Sequence, residues 1–180
     1  VTIPKALKLD GYASSTMGKC YHTTLAIGGF DTAGTRPPLP NRFPDKKWVN
    51  TPKNHKLVDW GIWPPKDSDP LDYKTADWAV NELSQKPKDP FFMAVGFFRP
   101  HVPLYASQKW FDVYPEETLV LPPIRRDDRE DTPRFSWYLH WELPEPRLKF
   151  LDENMQVKNK VRSYLASVSF VDSQVGRVLD

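Results

Sequence analysis

The sequence of 180 residues contains a single cysteine, Cys20. A disulfide within the chain is therefore excluded, and so is a zinc site built from cysteines. No apolar run approaches the roughly 20 residues that a membrane-spanning helix needs. The chain starts with Val-Thr-Ile-Pro, which has neither an initiator Met nor the pattern of a signal peptide. The sequence thus predicts no membrane span.

The sequence also lacks an excess of charge of either sign. The formal net charge is +2, and the charged residues are interspersed without a basic block. Aromatic and basic residues do not alternate as they do where a protein follows a nucleic-acid backbone, so nucleic acid is not an expected partner.

Proline is abundant instead. The 19 prolines among 180 residues are about double the average usage of roughly 5%. Together with 13% aromatic residues, they favour long, ordered loops, which often carry function in compact domains.

The first 69 residues predict two regular elements and one long irregular segment. Residues 2–11 have a possible N-cap in Thr2 and end at a glycine, which predicts a short helix. The following "YASSTMGK" predicts a strand. Residues 23–69 combine many prolines with little periodicity and predict an irregular excursion.

A helix and a buried strand follow. Residues 68–86 have apolar residues at helical spacing, with Ser68 or Asp69 as the cap. The segment "PFFMAVGF" has no polar alternation, which is typical of a strand covered on both faces in a parallel sheet. We therefore expect a βαβ arrangement within an α/β fold.

The last third predicts one long helix. Residues 106–114 predict a short amphipathic helix, 118–123 an extended piece and 122–149 a proline-rich irregular segment. The clearest helical stripe in the chain comes last, and it comprises Val161, Tyr164, Leu165, Val168, Val171, Val175, Val178 and Leu179.

Polar residues follow each of the two main predicted strands. Lys19 and His22 come after the first strand, and Arg99 and His101 after the second. Ligands bind at the carboxyl ends of strands in open α/β sheets. Prolines on both sides of His101 restrict its backbone, and a catalytic acid needs such a rigid frame to hold its side chain in position. The simpler alternatives are a solvated lysine, loop-capping histidines, and an arginine paired with an aspartate.

Three segments resemble one enzyme family. "TIPKALKLDGYASSTMGKCYH" is similar to the sulfatase segment that leads to a Gly-Lys-x-x-His motif. "DPFFMAVGFFRPHVPLYASQKWFDVYP" resembles the Pro-Phe-Phe strand and (Lys/Arg)-Pro-His-x-Pro loop of the iduronate-2-sulfatase-like branch. "VRSYLASVSFVDSQVGRVLD" resembles the helix before the strand with an Asp-His metal motif. The segments occur in the family's order and extend over the whole chain.

The resemblance implies a type I sulfatase with the alkaline-phosphatase-like α/β fold, a mostly parallel sheet flanked by helices. Such enzymes hydrolyse sulfate esters through a formylglycine nucleophile, made by a maturation enzyme, and a bound calcium ion. Lys19 matches the lysine that contacts the sulfate. His22 matches the histidine that hydrogen-bonds the hydrated formylglycine, and His101 matches the one at the leaving-group oxygen. The resemblance also implies a secreted, periplasmic or lysosomal location.

The chain departs from the family pattern in two respects. The nucleophile motif, Cys or Ser followed by x-Pro or x-Ala and then x-Arg, is absent, and so is the Asp-His pair. In the family, metal motifs lie before and after the matched region. We therefore expect residues 1–180 to be the central part of a catalytic domain truncated at both ends, inactive alone, with Cys20 as a loop residue.

The expected substrate is a sulfated carbohydrate, either a glycosaminoglycan or another polysaccharide. Arg99 is a candidate for an anionic sugar substituent and Trp60 for stacking on a sugar ring. Two alternatives stay open. One is a phosphate or phosphonate ester hydrolase on the same scaffold, and the other is a non-catalytic carbohydrate-binding remnant.

Overall fold

The computed structural model describes residues 2–22, 29–39, 42–87, 90–125 and 127–180, without the side chains of 140–142. The strands in these ranges are β1 (Ala13–Gly18), β2 (Thr32–Ala33), β3 (Trp60–Ile62), β4 (Phe91–Gly96) and β5 (Leu104–Ala106). The helices are α1 (Ile3–Leu9), α2 (Leu71–Ser84), α3 (Gln108–Asp112), α4 (Arg134–Glu142), α5 (Leu148–Glu153) and α6 (Val157–Leu179).

The main sheet is parallel and has β1 at its centre. The strand order is β2-β1-β4, and β1 pairs with β4 along its whole length, from Ala13 opposite Phe91 to Gly18 opposite Gly96. Helix α2 connects the two strands in sequence and packs on both of them. The predicted βαβ unit and the α/β fold class, a parallel sheet flanked by helices, are therefore confirmed.

A second, two-stranded parallel sheet consists of β3 paired with β5. Trp60 and Leu104 of this pair form one apolar cluster with Val58, just before β3, and Leu151 on α5. Helix α6 packs against α2, α3, β3 and β5, and it buries small residues and one aromatic residue, Ser163, Ala166, Ser167 and Phe170. The helix is confirmed, but its packing face is not the predicted stripe: none of the stripe residues is buried, and Tyr164, Val175 and Leu179 are exposed.

Three expectations from the sequence need correction. The segment 122–149 contains α4 and the first two residues of α5. Proline at the N-terminal flank of α4 is compatible with a helix start. Helix α2 begins after Pro70 without a side-chain cap, so neither Ser68 nor Asp69 caps it. Strand β4 is half-buried, with Phe91 exposed, instead of covered on both faces.

The predicted excursion between residues 23 and 69 contains only the short strands β2 and β3 in its described parts, while 23–28 and 40–41 lie outside the described residues. Within the described ranges, no helix is both long enough and apolar enough to cross a bilayer.

Candidate active site

Two glycines join the carboxyl ends of β1 and β4. Gly18 has a φ of +86°, and a Cβ there would lie 2.0 Å from the carbonyl oxygen of Gly96. A Cβ on Gly96 would lie 2.3 Å from the backbone carbon of Lys19. The Lys19 amide also donates a hydrogen bond of 2.7 Å to the Gly96 carbonyl. The loops after the two strands therefore leave the sheet from a single point.

A cavity of about 400 Å³ opens between these loops. Its walls include Lys19 and His22 from the loop after β1, and His101 from the loop after β4. The structure thus brings the three predicted catalytic side chains to one cavity, although His22 and His101 are 79 positions apart in the sequence. Thr16, Gly34, Arg36 and Leu71 complete much of the remaining wall.

Lys19 supplies positive charge to this cavity. Its ammonium group lies 4.7 Å from the centroid of the Phe98 ring, a cation–π contact that holds the group without neutralising it. Among the residues that the structure describes, Lys19 forms no ion pair. The charge is therefore available to an anionic ligand.

His101 is held at one ring nitrogen. Its Nδ1 lies 2.8 Å from the carbonyl oxygen of Val102, and its ring packs 4.8 Å from that of Phe98, centroid to centroid. A carbonyl oxygen can only accept, so Nδ1 carries the hydrogen. Nε2 is consequently the nitrogen left for a ligand, and protonation of the ring makes it a proton donor.

Cys20 also lines the cavity, with its thiol close to the backbone of β4. Its Sγ lies 3.0 Å from the Thr16 hydroxyl and 3.4 Å from the carbonyl oxygen of Ala94. The thiol therefore faces the backbone between β1 and β4, which fits its interpretation as a small loop residue. His22, two positions later, is exposed.

Asp72 fixes the loop that carries His101. This carboxylate is only 2% exposed, and it accepts hydrogen bonds from the amides of Phe98 and Arg99. Burial raises its pKa, whereas the two amides and the Arg99 charge lower it. From the sequence, Asp72 looked like an ordinary acidic residue in a first helical turn. Its role depends on a contact with residues 26 and 27 positions away, which no local pattern indicates.

Comparison with known proteins identifies the family. The model of the family described as Sulfatase matches residues 1–180. This chain belongs to the sulfatase family. A sulfatase of Formosa agariphila is 38% identical over all of the chain, and the match covers 38% of that protein. Human iduronate 2-sulfatase is 28% identical over 99% of the chain, which covers 36% of it. An arylsulfatase of Clostridium perfringens is 29% identical over 74% of the chain, which covers 29% of it.

The sulfatase chain thus spans less than two fifths of the length of these relatives. Its fold is the alkaline-phosphatase-like α/β fold of the family, seen here as parallel strands flanked by helices.

Trp60 does not lie where a sugar could stack on it. The side chain is 2% exposed in the core of the sulfatase chain, its Nε1 donates to the Gln156 side chain at 3.1 Å, and Lys160 lies over its ring. This corrects the expectation from the sequence. Trp60 is the first residue of the short strand β3, and burial of its large ring stabilises the core there.

Arg99 faces a smaller neighbouring cavity instead of the one that holds His101. Its Nε donates to the Tyr105 carbonyl at 2.9 Å. Burial lowers the pKa of its guanidinium, and the nearby Asp72 carboxylate opposes that change. Arg99 therefore lies near Asp72, but no ion pair joins their side chains among the described residues, and a contact of Arg99 with an anionic sugar substituent stays a prediction.

The described side chains do not form a metal site. Among them, no group of three or more His, Cys, Asp or Glu side chains is placed to hold a metal ion. The described part of the sulfatase chain therefore does not fit a calcium site.

Proposed function

We propose that the full-length protein hydrolyses a sulfate ester of a sulfated carbohydrate, either a glycosaminoglycan or another polysaccharide. The observation that supports this proposal is the meeting of Lys19, His22 and His101 at one cavity in a chain of the sulfatase family. A sulfate ester is an anion, and this cavity offers an unpaired ammonium group and two imidazoles.

Lys19 acts on the charge of the transition state. As the sulfur–oxygen bond breaks, negative charge grows on the oxygens around it. A positioned cation stabilises this charge more than it stabilises the bound substrate, so it lowers the barrier. The Phe98 ring holds the Lys19 side chain in place before the substrate arrives.

His101 acts on the leaving group. A sugar hydroxyl is a poor leaving group unless it receives a proton as the bond breaks. His101 Nε2 is free to donate that proton, because Nδ1 is engaged by Val102. His22 opens onto the same cavity, where an imidazole can orient or deprotonate an attacking hydroxyl.

Two further groups belong to the proposal through the family resemblance. A formylglycine, made by a maturation enzyme, would supply the attacking oxygen, and a calcium ion would bind the sulfate oxygens. Neither the nucleophile motif nor a metal cluster lies in the part of the chain that the structure describes. A secreted, periplasmic or lysosomal location is proposed on the same ground.

The test is turnover by the full-length protein on sulfated oligosaccharides and on p-nitrophenyl sulfate. Lys19→Ala should lower kcat by about 10²–10³ with little change in melting temperature. Lys5→Ala, an exposed lysine on α1, is the matched control and should leave turnover unchanged. Near-normal turnover by Lys19→Ala would remove this residue from the active site, and faster hydrolysis of the matching phosphate esters would favour the phosphatase alternative.

The leaving group separates the role of His101 from a general loss of activity. His101→Ala should lower kcat on a sugar sulfate by about 10²–10⁴. The loss on p-nitrophenyl sulfate should be much smaller, because nitrophenolate leaves without a proton. His55→Ala, at an exposed histidine outside the cavity, should affect neither substrate. Equal losses on both substrates would contradict proton donation by His101.

A further inference from the structure

Three arginines line a second, smaller cavity beside the catalytic one. This arginine pocket has a volume of about 40 Å³, and its lining includes Arg36, Arg42 and Arg99. It shares Arg36, Leu71 and Phe98 with the catalytic cavity. Any molecule that fills the catalytic cavity toward Arg36 and Leu71 therefore reaches the arginine pocket.

The positive charge of the arginine pocket is only partly balanced. Among the described residues, neither Arg36 nor Arg42 forms an ion pair. Burial and the charge of Arg36 both lower the pKa of Arg42, and the charge of Arg42 acts on Arg99 in the same direction. Arg42 therefore lies close enough to both Arg36 and Arg99 for the positive charges to repel.

The carboxylates of the pocket offset part of this positive charge. Asp69 and Asp72 also line the pocket, but both oxygens of Asp72 already accept hydrogen bonds from the Phe98 and Arg99 amides. The lining thus carries three arginines and two carboxylates, which leaves a net positive charge. An anion placed between Arg36 and Arg42 would relieve the repulsion.

We propose that the arginine pocket binds a second anionic group, a carboxylate or a further sulfate, on the sugar whose sulfate ester lies at Lys19 and His101. This assignment rests on the proposed function, because it places the pocket next to the bond that is cleaved. The planar fork of an arginine binds two oxygens of a carboxylate or sulfate at once. The space of about 40 Å³ suits one small oxyanion, not a sugar ring.

The proposal predicts discrimination between saccharides of equal size. A monosulfated disaccharide that contains a uronic acid should bind at least about tenfold more tightly than its carboxyl-reduced counterpart, since a charge-assisted contact is lost in the latter. A disulfated and a monosulfated disaccharide without carboxylate form the second pair. The pair that shows the preference tells which oxyanion the pocket takes.

The experiment measures Kd by calorimetry on the full-length protein that carries His101→Ala, so that turnover is slowed during the titration. In this background, Arg36→Gln together with Arg42→Gln should abolish the preference for the more anionic member of the pair. Lys46→Gln together with Lys66→Gln is the control, because it removes the same charge from two exposed lysines outside both cavities. This control should keep the preference, which excludes an effect of net charge alone.

Two outcomes would overturn the assignment: equal affinity for both members of each pair, or a preference that survives loss of both arginines. Failure of the proposed function is seen separately, in the protein without substitutions. If that protein cleaves no sulfate ester but the arginine-dependent preference persists, the hydrolase proposal fails and the pocket remains a site for anionic saccharides. If it cleaves sulfate esters without any such preference, only the pocket assignment fails.

Discussion

Asp31 shows how a single exposed carboxylate can hold two elements together. It pairs with Lys8 in the last turn of α1, and it accepts hydrogen bonds from the amide and the hydroxyl of Ser14 in β1 at 2.9 and 2.8 Å. The contacts with Lys8 and Ser14 lower the pKa of Asp31 to about 2. The carboxylate thus favours the folded state only while it is ionised.

This pKa predicts how stability depends on pH. Because the pKa is lower in the folded chain than its usual 3.8, the contribution of Asp31 is complete above about pH 4 and is lost as the pH falls toward 2. Urea midpoints should therefore fall more steeply for the unsubstituted protein than for Asp31→Asn over this range. Asp152→Asn, at an exposed position on α5, serves as control. Parallel curves for the unsubstituted protein and Asp31→Asn would contradict the assignment.

At the scale of elements, the first turn of α2 and the end of β4 act as one unit. The two hydrogen bonds that Asp72 accepts from Phe98 and Arg99 tie the helix to the loop that presents His101. Asp72 is therefore a positioning residue. It would influence the reaction only by holding the loop of His101 in place.

Removal of this carboxylate should loosen the loop. Asp72→Ala leaves the partly buried amides of Phe98 and Arg99 without this partner, which should lower the free energy of unfolding by about 2 kcal/mol and also lower turnover on sugar sulfates. Asp72→Asn keeps one acceptor and should give an intermediate loss of both. The free energy comes from urea denaturation and turnover from initial rates. Full turnover in both variants would show that the loop keeps its place without Asp72.

The glycine contact between β1 and β4 makes a second prediction at this scale. Gly96→Ala should lower the free energy of unfolding by about 1–3 kcal/mol or more, because its Cβ would lie 2.3 Å from the Lys19 backbone. Gly176→Ala is the matched control on α6, where nothing lies within 4 Å of a Cβ. It should raise stability by up to about 1 kcal/mol. Equal effects of the two substitutions would contradict the close contact.

Elements with a strong local pattern could be predicted from the sequence, and contacts between distant segments could not. The helical stripe of α6 and the apolar run of β4 were sufficient to place those elements. Helices α4 and α5 were missed because prolines and charges concealed short helices. The burial of Trp60 depends on Gln156 and Lys160, nearly 100 positions later. The catalytic residues were predicted from the resemblance of motifs to a family. The pairing of β1 with β4 is what brings them to one cavity.

At the scale of the whole molecule, the chain contains one part of a proposed catalytic apparatus. The sequence has no Cys/Ser-x-Pro/Ala-x-Arg motif, and the described residues hold no metal cluster. We expect a purified chain of residues 1–180 to hydrolyse neither p-nitrophenyl sulfate nor sulfated disaccharides, in an assay where the full-length protein serves as positive control. Measurable turnover by the 180-residue chain would show that a nucleophile lies within it.

The contact between Gly18 and Gly96 has a consequence for how such a protein can diversify. Lys19 and His101 follow two strands that share one backbone ladder, so a change that moves one of them also moves the other. Arg36 and Arg42 belong to an irregular segment outside that ladder and can be exchanged without disturbing it. On the proposed function, we therefore expect substitutions in this irregular segment to change substrate preference while Lys19 and His101 keep their places at the ends of β1 and β4.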